Sequence, residues 1–394
     1  MRIGVPKETL PGERRVALVP SALAALTKAK FSVVIESGAG EAAGFADREY
    51  REKGAEIGAS RAAVFGGCDI VLQVRTYGAN KQHGADDLSL LSSRHVLIGM
   101  GDPLSEAAAQ QRIAETGATS FALELIPRIT RAQSMDVLSS MATIAGYKAV
   151  LLAANTLPRL FPLMMTAAGT MTPAKAFVIG AGVAGLQAIS TARRLGAVVS
   201  AYDVRPAVKE QVQSVGARFV ELPLESAEGQ GGYARDQGED FLRRQRELMT
   251  KVVAEHDVII TTAAIPGKRS PVLITDSMVS GMKACSVIID LAAERGGNCE
   301  LTIYGQEIVR HGVTINGPAN LPATIPTHAS QLYARNICNF LTSFANDGEL
   351  TKLTTDEEIQ KDEVLRDTLV TRGGSIVNAR VRAALGMPTA PQPI

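Results

Sequence analysis

The stretch Ala176-Phe-Val-Ile-Gly180-Ala-Gly182-Val-Ala-Gly185-Leu-Gln-Ala188 decides the fold of this chain. It begins as an apolar strand, passes through Gly-x-Gly-x-x-Gly and continues as a helix rich in small residues. A second apolar strand, Val198–Tyr202, follows and leads directly into Asp203. The order strand, glycine turn, helix, strand, carboxylate predicts a βαβ unit of the doubly wound type.

Each part of this unit has a physical task if the turn binds a dinucleotide. Gly180 permits the tight turn, Gly182 lets the backbone approach a pyrophosphate, and Gly185 lets helix and strand pack closely. The helix begins near Val183, where its free N–H groups attract phosphate oxygens. Asp203 stands where an acidic side chain meets the adenosine ribose. The alternative is a glycine-rich turn in an ordinary βαβ unit.

A second glycine-rich segment, Gly38-Ala-Gly40-Glu-Ala-Ala-Gly44, lacks this context. Its third glycine comes one position late, and Glu41 would face the phosphate. No helix and second strand with a terminal acid follow at the right distance. We predict a loop here.

Bulk properties favour an α/β enzyme. The 394 residues suffice for two or three domains. The net charge of +1 and the absence of tryptophan argue against a nucleic-acid partner. Four scattered cysteines form no metal-binding cluster and indicate a reduced, cytoplasmic setting. The most apolar long stretch, Ala149–Thr170, contains Pro158, Arg159 and Pro162, so we expect no direct membrane insertion.

Short apolar strands alternate with helical patterns in the first third of the chain. Ser21 is the expected N-cap of a first helix within Ser21–Lys30. The alternation predicts a parallel sheet with helices on both faces. The expected strands are Ile3–Pro6, Ser32–Glu36, Ile70–Val74, Val96–Met100 and Ser120–Leu125.

A long apolar helix, Asp136–Ala154, should bridge to a second α/β series, and a late helix, Ala329–Asn346, should return to the first. We therefore predict two Rossmann-like, doubly wound parallel-sheet domains with a cleft between them. One is discontinuous, residues 1–137 with 325–394, and the other spans residues 138–324. Its expected strands are Phe177–Ile179, Val198–Tyr202, Arg218–Glu221, Val258–Thr261, Val287–Leu291 and Val313–Ile315.

One loop, Pro223–Asp240, is long, glycine-rich and without apolar periodicity. Loops of such length in compact domains are typically functional. Its single aromatic residue, Tyr233, follows Gly232, a candidate hinge. We predict a lid that closes over a ligand; the alternative is an idle insertion.

A polar segment opens the bridging helix: Pro127-Arg128-Ile-Thr-Arg-Ala-Gln133-Ser-Met-Asp136-Val-Leu-Ser139-Ser140. Ligands of doubly wound sheets bind at the carboxyl ends of the strands, which makes such a segment a candidate site. Asp136 is also a good N-cap. Spacing alone leaves capping and ligand binding equally open.

Several runs resemble one superfamily. Gly4-Val-Pro-Lys-Glu8 and Glu13-Arg-Arg-Val-Ala-Leu-Val-Pro20 resemble the opening of the alanine dehydrogenase and proton-translocating transhydrogenase superfamily. Pro127–Asp136 resembles specifically the NAD(H)-binding alpha subunit of the transhydrogenase. Further similar runs are Ile265-Pro-Gly-Lys268, Pro271-Val-Leu-Ile-Thr275, Asp290-Leu-Ala-Ala-Glu-Arg-Gly-Gly-Asn-Cys299 and the loop around Tyr233.

The chain departs from alanine dehydrogenase at catalytic positions. The lysine, histidine and aspartate of that relative correspond to Arg75, to the histidine-free run Leu97–Asp102, and to Glu294. His95 is at the wrong offset, although Arg15, the expected carboxylate holder, is present. Without the lysine and histidine, amino acid oxidation lacks its proton acceptor. Exchange of hydride between two nicotinamides needs none.

The resemblance therefore implies an NAD(P)⁺ transhydrogenase component, Re/Si-specific and proton-translocating. It implies that this chain binds NAD(H), that a domain of the beta subunit binds NADP(H), and that membrane-spanning subunits carry the proton. It also implies a homodimer, peripheral to the inner membrane on the cytoplasmic side. No metal is expected. The alternatives are an alanine dehydrogenase-like amino acid oxidoreductase and a non-catalytic nucleotide sensor.

The resemblance also assigns roles to individual residues. The nicotinamide and its ribose fall to Arg128, Gln133, Asp136 and Ser139, with Arg128, Gln133 and Asp136 as the catalytic candidates and Gln133 nearest the transfer. Asp203 disfavours a 2′-phosphate and hence favours NAD(H). The cofactor-binding set is completed by Gly180, Gly182, Val183, Gly185, Val204, Arg205, Gly232, Tyr233, Gln245 and Ala264.

Overall fold

The computed structural model describes residues 1–223, 239–264, 267–350 and 356–388. The chain forms two compact units by its internal contacts. Met1–Met141 with Ala323–Ile394 makes up unit 1, and Ala142–Pro322 makes up unit 2. The divisions fall at residues 141 and 322, where the sequence suggested 137 and 324.

Strands and helices alternate through most of both units. In the described residues the strands are β1 Arg2–Val5, β2 Ser32–Glu36, β3 Glu56–Gly58, β4 Ile70–Arg75, β5 Val96–Met100, β6 Thr119–Ala122, β7 Met164–Thr166, β8 Gly169–Met171, β9 Lys175–Ile179, β10 Val198–Tyr202, β11 Arg218–Phe219, β12 Val258–Thr261, β13 Val287–Asp290, β14 Glu307–Arg310, β15 Val313–Asn316, β16 Leu369–Arg372 and β17 Ser375–Ile376. The α-helices in the same residues are α1 Leu23–Lys28, α2 Asp47–Glu52, α3 Arg61–Gly67, α4 Ala107–Glu115, α5 Val137–Thr156, α6 Val183–Arg194, α7 Lys209–Ser214, α8 Glu239–Glu255, α9 Asp276–Ser280, α10 Pro326–Phe344, α11 Asp356–Lys361, α12 Glu363–Thr368 and α13 Ala379–Ala384.

Unit 1 contains an eight-stranded sheet in the order β17-β16-β6-β5-β4-β1-β2-β3. Strands β1 to β6 are parallel, while β16 pairs antiparallel with β6 and with β17. The order 3-2-1-4-5-6 of the first six strands is the doubly wound order. The expected all-parallel sheet is therefore wrong at this edge, because the chain returns late in sequence and adds a short hairpin there.

Unit 2 contains a seven-stranded sheet in the order β11-β10-β9-β12-β13-β15-β14. The first six of these, numbered from β9, again follow 3-2-1-4-5-6, and only β14 is antiparallel. Neighbouring residues of β9 enter different cores: Ala176 and Val178 pack on one face, Phe177 and Ile179 on the other. Burial on both faces explains why these strands are continuously apolar. The prediction of two α/β domains is confirmed.

Two local expectations fail. Ser21 does not cap the first helix: it lies inside a 3-10 turn, Pro20–Ala22, and α1 begins at Leu23 without a side-chain cap. The strand expected at Ser120–Leu125 ends at Ala122 and continues as a 3-10 turn. Both errors are at element ends, where a short turn and a strand have similar apolar patterns.

Helix α5 is apolar around its whole circumference, and a third of its most apolar window is buried. By length and composition it could cross a membrane, which among the described residues holds for this helix alone. These two properties do not separate a membrane span from a core helix. The packing of Ala149, Val150 and Ala153 into the core of unit 2 accounts for its second half.

Candidate dinucleotide-binding site

The switch point of unit 2 lies between β9 and β12, where the strand order reverses. Gly180 follows β9, Asp203 follows β10 and Thr262 follows β12, so all three stand at the carboxyl edge of the sheet. Ligands of doubly wound sheets bind at this position. The residues predicted around Gly180 are thus placed where the fold itself favours a ligand.

The three glycines of the turn meet different surroundings. Gly180 has φ of 95°, and a Cβ there would lie 2.6 Å from Thr262 Oγ1. A Cβ on Gly185 would lie 1.9 Å from the carbonyl oxygen of Gly180, so the helix packs directly on the turn. A Cβ on Gly182 would meet nothing within 4 Å. Two glycines are therefore required by packing, while Gly182 faces open space.

Helix α6 presents its N-terminus at this turn. Its N-cap is Gly182, which makes no side-chain capping bond, and its first residue, Val183, is exposed. The first N–H groups of a helix have no partner within the helix and carry a partial positive charge. An uncapped, twelve-residue helix beside open space suits a pyrophosphate.

Asp203 ties the turn to the second strand. Its Oδ2 accepts the N–H of Ala181 at 2.7 Å, and Arg205 donates to both carboxylate oxygens, Nε to Oδ1 at 2.9 Å and Nη2 to Oδ2 at 2.8 Å. Asp203 is 8% exposed, and Val204 beside it is half-buried. Arg205 is therefore neutralised by Asp203 rather than offered to a ligand phosphate.

Residues after β12 complete this edge. Thr262 Oγ1 donates to the carbonyl of Gly180 at 3.0 Å. Asn298 brackets Ala263, accepting its N–H at 3.0 Å and donating to its carbonyl at 2.8 Å, and the next residue, Ala264, is exposed. We did not single out Asn298 from the sequence, although it stands in the run Asp290–Cys299 that carries the resemblance.

Gln245 on α8 is placed differently from the other predicted ligands. Its side chain is buried, and its Nε2 donates to Tyr202 Oη at 3.0 Å. Burial raises the pKa of Tyr202 to about 12, so the phenol remains a neutral donor. Gln245 Oε1 has no hydrogen-bond partner among the described residues.

The segment at the start of α5 belongs to unit 1. Asp136 caps the helix through both oxygens, accepting the N–H of Ser139 at 2.8 Å and its Oγ at 2.6 Å. Gln133 lies on a 3-10 turn, Thr130–Met135, and its side chain is exposed, while Arg128 is half-buried. The capping interpretation of Asp136 is thus confirmed, and it leaves Gln133 open to solvent.

The positions that depart from alanine dehydrogenase form a buried charged cluster. Arg15 binds Glu13 through two parallel bonds, Nε to Oε1 at 2.7 Å and Nη2 to Oε2 at 2.6 Å. Arg75 Nε lies 3.5 Å from Glu13 Oε2. Glu8 accepts the N–H groups of Val74 and Arg75. Burial, reinforced by Glu13, raises the pKa of Glu8 to about 8.

His95 is a structural histidine. It is 2% exposed; Nε2 bonds the carbonyl of Phe65 at 3.0 Å, and Nδ1 accepts the N–H of Ser92 at 2.9 Å. Both ring nitrogens are occupied, so this side chain is not available as a proton acceptor. Glu294 lies exposed in the 3-10 turn Ala293–Arg295.

The lid residues Gly232 and Tyr233 lie outside the described residues. Over the part of the chain that the structure covers, no group of three or more His, Cys, Asp or Glu side chains could hold a metal ion. The described candidate residues therefore fall into two groups, one at the switch point of unit 2 and one at the start of α5 in unit 1.

Known proteins share this organisation. Family models for the N-terminal and C-terminal domains of alanine dehydrogenase/PNT match residues 4–145 and 149–379. The chain is 45% identical over 381 residues to an NAD(P) transhydrogenase subunit alpha of Rhodospirillum rubrum, and the match covers 96% of this chain and 98% of that protein. The crystal structure of transhydrogenase from Sinorhizobium meliloti matches with a TM-score of 0.82 and 42% identity, over 96% of this chain and 99% of that one.

Alanine dehydrogenase is a more distant relative. The enzyme of Mycobacterium tuberculosis is 26% identical over 395 residues, or 98% of each chain. The higher identity to the transhydrogenases agrees with the departures at Arg75 and at the histidine-free run 97–102. The chain belongs to the alanine dehydrogenase/PNT family and, within it, to the alpha subunits of NAD(P) transhydrogenase.

Proposed function

We propose that this chain is the NAD(H)-binding component of a proton-translocating, Re/Si-specific transhydrogenase. It would hold NAD(H) at the switch point of unit 2 and exchange hydride directly with NADP(H) on a partner domain. The observation that carries the proposal is the uncapped N-terminus of α6 behind the open space at Gly182, with Asp203 at the end of the next strand. These residues fit a dinucleotide.

The residues of unit 2 would bind the non-reacting parts of the nucleotide. Gly180, Gly182, Val183 and Gly185 would cradle the pyrophosphate with backbone N–H groups. Asp203, flanked by Val204 and Arg205, would accept the hydroxyls of the adenosine ribose. A 2′-phosphate would meet the Asp203 carboxylate, which already neutralises Arg205. Repulsion between the two anions favours NAD(H) over NADP(H).

The residues of unit 1 would orient the reacting end. Asp136 and Ser139 form a fixed pair at the start of α5, and Arg128 adds a half-buried guanidinium. These three would hold the nicotinamide and its ribose, while Gln133 would lie nearest the transfer. The bound nicotinamide supplies or accepts the hydride, so the side chains need only align the ring and exclude water.

Four further residues complete the proposed site. Tyr233 would close a lid on the nucleotide with Gly232 as its hinge, and Gln245 and Ala264 would border the site. If Tyr233 closes on bound nucleotide, its NMR signals shift or broaden when NADH is added, and Tyr233→Ala slows transfer. An unresponsive Tyr233 signal would contradict the lid.

The proposed assembly follows from the family. Two copies of the chain would form a homodimer that works with the NADP(H)-binding domain of a beta subunit and with membrane-spanning subunits. The chain would lie at the cytoplasmic side of the inner membrane without entering it. The overall reaction would convert NADH and NADP⁺ to NAD⁺ and NADPH, coupled to inward proton movement.

An alanine dehydrogenase-like activity is the second candidate, favoured only by the presence of Arg15. That arginine is buried and already bound to the carboxylate of Glu13. His95 is occupied on both ring nitrogens. Amino acid oxidation would need a proton acceptor that neither residue provides.

A reconstitution decides between the two functions. Alone, the chain should bind NADH and form none from alanine and NAD⁺. Mixed with the NADP(H)-binding partner, it should transfer deuteride from C4-labelled NADH to NADP⁺ without loss of label to water. Alanine-dependent NADH formation by the chain alone, or label washed into solvent, would overturn the proposal.

A further inference from the structure

The turn that carries Gln133 is held from outside. A 3-10 turn has poor internal hydrogen-bond geometry, so its position depends on its neighbours. Within Thr130–Met135, the side chains of Ala132 and Met135 are buried, whereas Gln133 is exposed to solvent. The apolar pair seats the turn, but these two anchors do not determine the direction of the exposed side chain between them.

Two asparagines determine the adjacent peptide. The carbonyl of Ser134 accepts the side-chain amides of Asn336, at 2.9 Å, and Asn339, at 3.0 Å. Both stand on α10, three residues apart and therefore on one face. A carbonyl has two lone pairs, so both bonds form together. We call Asn336 and Asn339 the amide clamp; it fixes the peptide next to Gln133 to a nineteen-residue helix.

Asn336 is an unfavourable residue for stability alone. It is 6% exposed, and its Oδ1 has no hydrogen-bond partner among the described residues. A buried acceptor without a partner destabilises a fold, and an apolar side chain of similar size would remove that cost. The donor of Asn336 is therefore present in spite of its oxygen, which points to a role in holding Ser134.

The opposite end of the turn is attached differently. Arg131 binds Asp362 through two parallel bonds of 2.7 and 3.1 Å, and Asp362 also caps α12. Half of the Arg131 side chain is exposed, and exposed ion pairs hold position weakly. The amide clamp, which is buried at Asn336, is the stiffer of the two attachments.

We propose that the amide clamp is a positioning device: Asn336 and Asn339 hold the Ser134 carbonyl so that Gln133 meets the nicotinamide end in the orientation that hydride transfer requires. The proposal rests on the function proposed above. A displacement of about 1 Å at a reacting pair can slow transfer about a hundredfold. Binding of the nucleotide depends mainly on the pyrophosphate and adenosine contacts of unit 2, which the clamp does not touch.

The test separates transfer from binding. Asn336→Leu removes the donor and the unpaired oxygen together, and Asn339→Ala removes the second donor at an exposed bond. Ser343→Ala is the matched control, because this exposed hydroxyl on the same helix bonds only within α10. In the full chain with its NADP(H)-binding partner, each clamp variant should slow transfer at saturating NADH by roughly ten- to a hundredfold. The dissociation constant for NADH should change less than about threefold, and the control should behave as the wild type.

A double-mutant cycle with Gln133→Ala identifies the route of the effect. If the clamp acts through Gln133, Asn339→Ala costs little more once Gln133 is absent. Multiplicative losses, an unchanged transfer rate, or parallel losses of transfer and NADH affinity would each overturn the proposal. Wild-type chain that transfers no hydride would sink the proposed function as well, whereas normal transfer by both clamp variants would leave that function standing.

Discussion

The sheet of unit 1 and the large sheet of unit 2 share one strand order but differ at their switch points. In unit 2, Gly180 and Gly182 connect β9 to a helix whose N-terminus is uncapped. In unit 1, β1 leads into Glu8, whose carboxylate binds the N–H groups of Val74 and Arg75 at the end of β4. A side chain of the protein thus occupies the donors that a ligand would use.

The glycine-rich segment of unit 1 shows the same contrast. The N–H of Gly38 is bound by Asp47 Oδ1 at 2.9 Å, and Ser37 Oγ donates to Oδ2. Glu41–Ala43 forms a 3-10 turn rather than the start of a long helix. An internal carboxylate satisfies the turn, in agreement with the loop predicted from the sequence. The same fold therefore offers backbone donors to a ligand only where no side chain of the protein binds them.

The glycines of unit 2 offer the strongest way to break this contrast. Gly185→Ala places a methyl group 1.9 Å from the Gly180 carbonyl, so the turn must open. We expect a loss of roughly 1–3 kcal/mol in the free energy of unfolding and no measurable NADH binding. Thermal denaturation and calorimetric titration measure the two effects.

Gly182→Ala is the matched control, because its methyl group meets nothing within 4 Å. Stability should remain within about 0.5 kcal/mol of the wild type. NADH should still bind at least about tenfold more weakly, about 1.4 kcal/mol, since the methyl group enters the phosphate's space. Wild-type NADH affinity in this variant would remove the pyrophosphate from the turn.

Asp203 provides the next test, through nucleotide choice. The wild type should bind NADH at least about tenfold more tightly than NADPH, about 1.4 kcal/mol. Asp203→Asn should narrow the difference, because it removes the repelling charge and releases Arg205 toward a 2′-phosphate. Lys209→Ala, which breaks an exposed ion pair with Glu221, is the control. Equal affinities in the wild type would contradict the role of Asp203.

The buried carboxyl of unit 1 predicts a smaller, pH-dependent effect. Burial raises the pKa of Glu8 from 4.5 to about 8, so the folded state binds a proton that the unfolded state has lost. Its contribution to stability is complete below pH 4.5 and declines as pH rises toward 8, at most about 1.4 kcal/mol per pH unit. Urea unfolding at several pH values measures this slope.

Glu8→Gln should reduce the decline without abolishing it. Glu124, whose pKa burial raises to about 7, acts in the same direction. Glu41→Gln, at an exposed position, should leave the slope unchanged. A wild-type stability that does not fall between about pH 5 and pH 8 would show that Glu8 is ionised in the fold, and the switch point of unit 1 would then hold a charge.

The sequence by itself determined the two α/β series and the glycine turn, because these depend on local patterns. Apolar runs between turns predict buried strands, and the spacing from Gly180 to Asp203 predicts a βαβ unit wherever it folds. The strands β2, β5, β10 and β12 have the residues expected for them. The capping role of Asp136 was likewise visible three residues ahead of Ser139.

Only the tertiary structure decided which polar groups are bound by the protein itself. The antiparallel β16 and β17, the ion pairing of Arg205 and the amide clamp on Ser134 join residues through contacts that the local pattern does not encode. Asn336 is one polar residue on a helix in the sequence; in the fold its amide reaches a carbonyl 202 positions away. Hydrogen bonds between distant segments depend on the packing of whole elements, and it is this packing that separates the filled switch point of unit 1 from the open one of unit 2.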